Sequence, residues 1–427
     1  MKYLVILLFL VLSSCTPVAQ SSVNSGSNPK TLRFIDYAYE PQIRTITIHP
    51  DLNVPQSTLQ PAVTSISGPA LFLEFDDVAT QRDNYNVKLI HCNYDWTKST
   101  LMDLDFMPQY NEFPINNYEF SVDSHVPYVH YWFQVPPVKL PGNYLLIVYR
   151  GSDKNDLILS KRLMIYDNQV SFSGERNLVG AGAMAARNQQ LNFTINYKNI
   201  EVINPLENIK VVIRQNQRWD NMASDVAPSF VREIEKEVEY RFFDEAKMFR
   251  GGNEFRFFDM RSLNYPGRNV QRVDKSQKPF EIFIEPDKSR AGEVYAQYDD
   301  LNGGFILENL DYRDANFSNY AYVNFQLKSK KLPGDVYVTG AFSYWNLLDE
   351  NKMTYDSTRG SYYNTQLLKQ GWYDYQYYVK SQTLPPYALE GSHFETENHY
   401  EIFVYYRSFQ PKADILVGYI KLEKNPR

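Results

Sequence analysis

The sequence predicts an all-β protein of three tandem β-sandwiches, of immunoglobulin or early-set type, behind a lipoprotein signal peptide. Three observations carry the fold class. Tyr, Phe and Trp number 34, 26 and 5, or 15% of the chain, and these side chains favour pleated, half-buried surfaces. Short runs alternate apolar and polar residues with the period of two that marks a strand with one buried face. The 23 prolines punctuate those runs, while the 3.6-residue period of an amphipathic helix is scarce.

Met1, Lys2 and Tyr3 give a short basic start, Leu4 to Leu12 an apolar run, and Ser13, Ser14 and Cys15 a small-residue close. A bilayer-spanning helix needs about 20 apolar residues, so residues 1–14 read as a secretory signal rather than an anchor. The pattern also resembles a bacterial lipobox, which implies that the Cys15 thiol is acylated and that Cys15 becomes the first residue of the mature chain. Residues 15–31 are polar and rich in Pro, Gly and Ser, the composition of a flexible linker with a root-mean-square reach of about 20 Å. No acidic cluster follows Cys15, whereas surface-exported lipoproteins of related bacteria usually carry one. The expected location is therefore the periplasmic face of the outer membrane, with the lipid as the only membrane attachment.

The 427 residues suffice for about three domains. A net charge of −6 lacks the basic stripe of a nucleic-acid partner. With Cys15 lipidated, Cys92 stands alone and no disulfide forms within the chain. Burial of apolar cores must then stabilise the domains.

The first domain is expected over 32–166. Ile43 to Ile48, Leu71 to Phe75 and Tyr85 to Leu89 alternate, and runs at Tyr131–Val135, Tyr144–Tyr149 and Leu157–Tyr166 follow between Pro-rich turns. A second sandwich is expected over 167–312, from strands at Leu191–Tyr197, Lys210–Arg214, Glu237–Phe243 and Pro279–Glu285. The run Gly251–Asp259 adds a turn and a strand, with Glu254 and Arg256 on the face of Phe258. The third is expected over 313–427: Ala321, Val323, Phe325 and Leu327 share a face, then come runs at Gly334–Trp345, Ser361–Leu367, Gln370–Tyr378 and Tyr400–Arg407. That order resembles early-set sandwiches whose relatives include starch- and glycogen-binding modules.

Candidate chemistry is sparse. Gly180 to Ala185 fits G-x-G-x-x-A, yet a strand rather than a helix follows it, which removes the pyrophosphate site that pattern requires. His393, Glu395, Glu397 and His399 would share one face of a strand. Its ends would lie roughly 20 Å apart, too far to share a metal ion, so no metal or other cofactor is expected. Asp76, Asp77, Asp103 and Asp105 offer carboxylates, but a glycosidase needs two that face each other across a cleft. His125 and His130 flank Pro127 without metal-site spacing, and His91 and Cys92 point to opposite faces of a strand. Cys92 reads as a small buried hydrophobe. Trp345 and Trp372 stand where sugar-binding relatives of the third domain place stacking platforms.

Three runs resemble the type IX secretion plug protein family: His91-Cys92-Asn93-x-Asp95-Trp96, the stretch from Gly252 through Asp259 to Arg261-Ser262-Leu263, and Tyr400-Glu401-Ile402-x-Val404-Tyr405-Tyr406-Arg407. The resemblance implies a non-enzymatic protein at the periplasmic mouth of a giant outer-membrane β-barrel translocon, closing it when no export is under way. The partner would be that barrel, with no nucleic acid and no small-molecule substrate; the contact surface is not readable from the sequence. The alternatives are a carbohydrate-binding lipoprotein using Trp345 or Trp372, and a glycan hydrolase with facing carboxylates.

Overall fold

A computed structural model describes residues 30–174, 187–224, 226–241, 248–312 and 315–425. Cys15, the signal, nearly all of the linker and the Gly180–Ala185 run lie outside the described residues. The regular structure of the described chain is nearly all strand, in packed sheets, and among the described residues no helix is long and apolar enough to cross a membrane.

Four sheets stack in sequence. The first holds Ile43–His49, Phe72–Asp77, Val129–Gln134 and Asn117–Phe120 in that order. The second runs Tyr37–Ala38, Leu157–Tyr166, Gly142–Arg150, Tyr85–Cys92 and Phe113–Pro114, with Val63–Ser65 parallel to Leu157–Tyr166. Leu73, Phe75 and Tyr131 from the first meet Val87, Leu146 and Leu163 from the second in one core. A third sheet pairs Ile209–Gln215 with Asn398–Arg407, and that strand with Asp414–Lys424. The fourth orders Ser171–Gly174, Phe193–Asn196, Glu237–Tyr240 and Phe230–Arg232. Val211, Ile213, Ile402 and Val404 of the third pack on Phe193, Ile195 and Val238 of the fourth.

The second and third sheets also pack on each other, and this explains a feature of the sequence. Tyr144 to Tyr149 is apolar at every position because both faces are buried. Tyr144, Leu146 and Val148 enter the first core, while Leu145, Ile147 and Tyr149 meet Val212, Phe403, Tyr405 and Leu416 of the third sheet. A strand covered on both faces loses the alternation of a half-solvated one.

This pairing corrects the expected boundary at 312/313. Residues 398–424 do not end a third domain; they supply two of the three strands of the second sandwich's inner sheet. The third sandwich begins earlier, at Arg256–Asp259, which pairs with Gly371–Lys380. Phe305–Leu307 and Asp335–Thr339 join that sheet. Its partner sheet orders Val270–Asp274, Glu281–Ile284, Tyr320–Lys328, Ser361–Lys369 and Thr354–Asp356. Phe258, Tyr373, Tyr375 and Val338 face Ile282, Val323, Phe325 and Leu327 between the two sheets. The third sandwich is thus an insertion into the second. The chain leaves and returns side by side: His393 N donates to Gly252 O at 2.7 Å, and a Cβ on Gly251 would stand 1.9 Å from His393 O. Period-two patterning marks strands but not their distant partners, so the insertion left no local trace.

Candidate functional site: the joints between sandwiches

The outer face of the first sheet should be polar if it met water, and Glu74 and Asp76 alternate there with buried Leu73 and Phe75. Instead that face meets the third sandwich. Asp76 Oδ2 accepts from Lys369 Nζ at 2.8 Å and from Tyr320 Oη at 2.7 Å, and its Oδ1 faces His130 Nδ1 at 2.8 Å. His130 Nε2 lies 3.2 Å from Glu74, which also meets His49. Lys369 Nζ sits 4.2 Å from the centre of the Tyr128 ring. Burial raises the Asp76 pKa, but Lys369 and His130 outweigh it and hold the carboxyl at about 2. Burial likewise disfavours a charged His130, yet Asp76 and Glu74 carry it up to about 9. The arrangement is a largely buried charge cluster in which Asp76 has a partner on each oxygen, while His49 Nδ1 is left without one; such a cluster fixes geometry more than it adds stability.

The joint of the first and second sandwiches uses the 91–96 run. Cys92 and Trp96 lie in the core between the second and third sheets. Burial pushes the Cys92 thiol up to about 12 and holds the His91 imidazole down at about 4, so both are neutral packing groups at pH 7. Arg162 lies against both the Trp96 and Trp219 rings, 4.8 and 4.9 Å from their centres, while the rings meet edge to face, and its Nε donates to Phe34 O at 2.9 Å. Burial lowers its pKa to about 10. Arg214 grips Glu401 through two bonds of 2.7 and 2.9 Å, and Tyr405 Oη donates to Asn143 at 2.8 Å.

Inside the third sandwich, near where the chain enters and leaves it, Arg256 donates to Glu390 at 3.0 Å and to Asp287 at 2.6 Å, and Arg290 reaches Glu390 at 2.7 Å. Burial raises the Glu390 pKa, and the two guanidinium groups reverse this and hold it at about 2. All three sandwiches line a cavity of about 280 Å³ that includes Arg162, Arg214, Asp300, Trp345 and His399. Burial first, and the charge of Glu254 with it, push Asp300 up to about 7; burial and Asp300 push Asp374 well above the carboxylate range. Backbone amides occupy both: Phe255 N and Asn302 N donate to Asp300, and Leu301 N and Gly303 N to Asp374. The pair fastens the 300–304 loop.

The residues singled out in the sequence are scattered. Asp77 accepts from Tyr85 Oη at 2.7 Å in the first sandwich. Asp103 pairs with Lys88, and Asp105 accepts from Met102 N, so these carboxylates do not face Asp76 across a cleft. The His125 ring abuts Phe280. Residues 393–397 are not strand, so the shared face of histidines and glutamates does not form; among the described residues no group of side chains could hold a metal ion. Trp345 is 9% exposed, with Arg218 4.1 Å from its ring centre and Phe255 edge-on. Trp372 stacks on Phe257 at 4.6 Å, beside Arg261 and Arg268. Trp345 is thus not laid open as a sugar platform, and Trp372 is half-buried. Sequence reasoning missed Lys369, Tyr320 and Glu390, because nothing near them in the chain announces their partners.

Residues 43–167 match the family described as Type 9 secretion system plug protein 1st domain. A crystal structure of a hypothetical protein from Parabacteroides merdae ATCC 43184 superposes with a TM-score of 0.84 at 25% identity, covering 92% of this chain and 100% of that one. No protein with a curated description matches.

Proposed function

We propose that this chain, whose residues 43–167 match the first domain of the type 9 secretion system plug protein, binds the periplasmic mouth of the system's outer-membrane barrel and closes it when no cargo is in transit. Its part is mechanical, without catalysis. It sits on the periplasmic face of the outer membrane, held by lipid on Cys15 through the 15–31 linker. The family match carries the reading. Its support in the fold is that an obstruction must not open under load: the first two sandwiches share a core, and a buried ion pair, Lys369 to Asp76, ties the third to the first. A tether also raises the local concentration of a plug at its channel, so a modest interface keeps the mouth occupied.

Affinity purification of the chain from native outer membranes tests this. Recovery of a giant barrel at near-equal ratio is expected, and its absence contradicts the reading.

A further inference from the structure

The third sandwich has an end that points away from its joint with the first. Tyr320–Lys328 and Ser361–Lys369 pair along their whole length, and at the joint Tyr320 and Lys369 reach Asp76. Eight residue steps then carry the pair about 26 Å to Lys328 and Ser361. Asp287–Lys288 runs parallel there, with Lys288 beside Lys328, and the 356–361 turn closes onto Ser361. The 329–334 loop leads from Lys328 to Asp335, whose register partner is Lys380. Leu332 pins that loop: it packs on the core, and its amide donates to Tyr362 Oη at 2.7 Å. A Cβ on Gly334 would stand 2.5 Å from Lys380 O, so the two chain segments lie in contact.

Lysine is concentrated at this end. Lys328, Lys330, Lys331 and Lys380 are exposed, and among the described residues none of the four pairs with a carboxylate. The acids of the same segments are already engaged: Asp287 by Arg256, Glu293 by Lys288, Asp335 by Lys352 and Asp356 by Arg359. Of the carboxylates on residues 285–293, 328–335, 354–361 and 380–384, Glu285 alone stands outside an ion pair. Four unpaired cations against one anion leave an excess of three positive charges, on a chain whose net charge is −6. Protein interfaces are depleted in lysine and depend on buried aromatic or arginine anchors, whereas here the one exposed large apolar neighbour is Val294, next to Glu293. Lysine is a compact point charge on a flexible stem, which suits a field of phosphates better than the two-pronged grip that arginine makes on one carboxylate.

We propose that this lysine tip is a contact surface for the phosphate headgroups of an anionic lipid leaflet, held there by charge and without insertion. The inference goes beyond the proposed function and does not depend on it. Each lysine close to such a leaflet contributes roughly fivefold in partitioning. Binding is therefore reversible and falls steeply with salt, as the screening length shrinks from about 10 Å at 0.1 M to about 3 Å at 1 M.

Co-sedimentation with vesicles tests this, using the full mature chain with Cys15→Ser so that no lipid of its own anchors it. Vesicles of phosphatidylethanolamine and phosphatidylglycerol are compared with vesicles of phosphatidylcholine alone. The tip variant Lys328→Gln, Lys330→Gln, Lys331→Gln, Lys380→Gln is set against a control of equal net charge, Lys98→Gln, Lys198→Gln, Lys275→Gln, Lys412→Gln. The parent chain is expected to sediment with the anionic vesicles alone and to be released by salt. The tip variant should partition about tenfold or more weakly, with its thermal midpoint unchanged, and the control should stay within about twofold of the parent. Absence of binding to anionic vesicles, an undiminished tip variant, or an equal loss in both variants overturns the proposal. Retention on immobilised polyglutamate without vesicle binding assigns the tip to an acidic protein and also overturns it. None of these outcomes bears on the plug reading, which barrel recovery decides.

Discussion

Asp76 has a lysine, a tyrosine and a histidine around one carboxylate, and two of them come from another sandwich. Removing one partner of a buried ion pair strands the other charge, so Lys369→Ala is expected to destabilise the protein by about 3–5 kcal/mol. Replacing both, as Lys369→Met with Asp76→Leu, should cost less, and denaturant titration reads the difference. His130 adds a pH dependence. Its folded pKa of about 9 lies above the ordinary 6.5, so its contribution is complete below about pH 6.5 and is lost as pH rises through 9. Asp76 and Glu74, held at about 2, contribute above their ordinary values and lose that only as pH falls towards 2. Stability should therefore fall between pH 7 and 10, and His130→Asn should flatten that fall; an equal slope in the variant would refute the assignment. None of this was legible in the sequence, where Asp76 was one of four carboxylates with no facing partner in view. Its lysine partner stands 293 residues away.

Strands were easier to read than their partners. Alternation located Leu71–Phe75, Tyr85–Leu89 and Ala321–Leu327, each of which has one core face. The uninterrupted run Tyr144–Tyr149 also read as a strand, but it carried a second message: a buried strand between two sheets. The terminal strands showed the limit. Tyr400–Arg407 looks the same whether it ends a third sandwich or completes a second, because hydrogen-bond partners leave no mark on a strand's own period. A chain ending at Glu397 should lose the second sandwich, since the Ile209–Gln215 strand then has no sheet to join. The expected result is loss of the cooperative unfolding transition; a truncated chain that melts like the full one contradicts the pairing.

Taken whole, the molecule has its family-like runs at its joints. The 91–96 run packs between the first two sandwiches, Gly252 stands at the neck where the chain enters the third, and Tyr400–Arg407 is the strand on which the second closes. Two of those runs thus hold the first and second sandwiches together. The most direct test is entry of a large dye, excluded by an intact outer membrane, into cells with and without this chain. Deletion should admit the dye only while the barrel is present, and the full chain should restore exclusion; dye exclusion in the deletion strain, or leakage that persists without the barrel, would contradict the account.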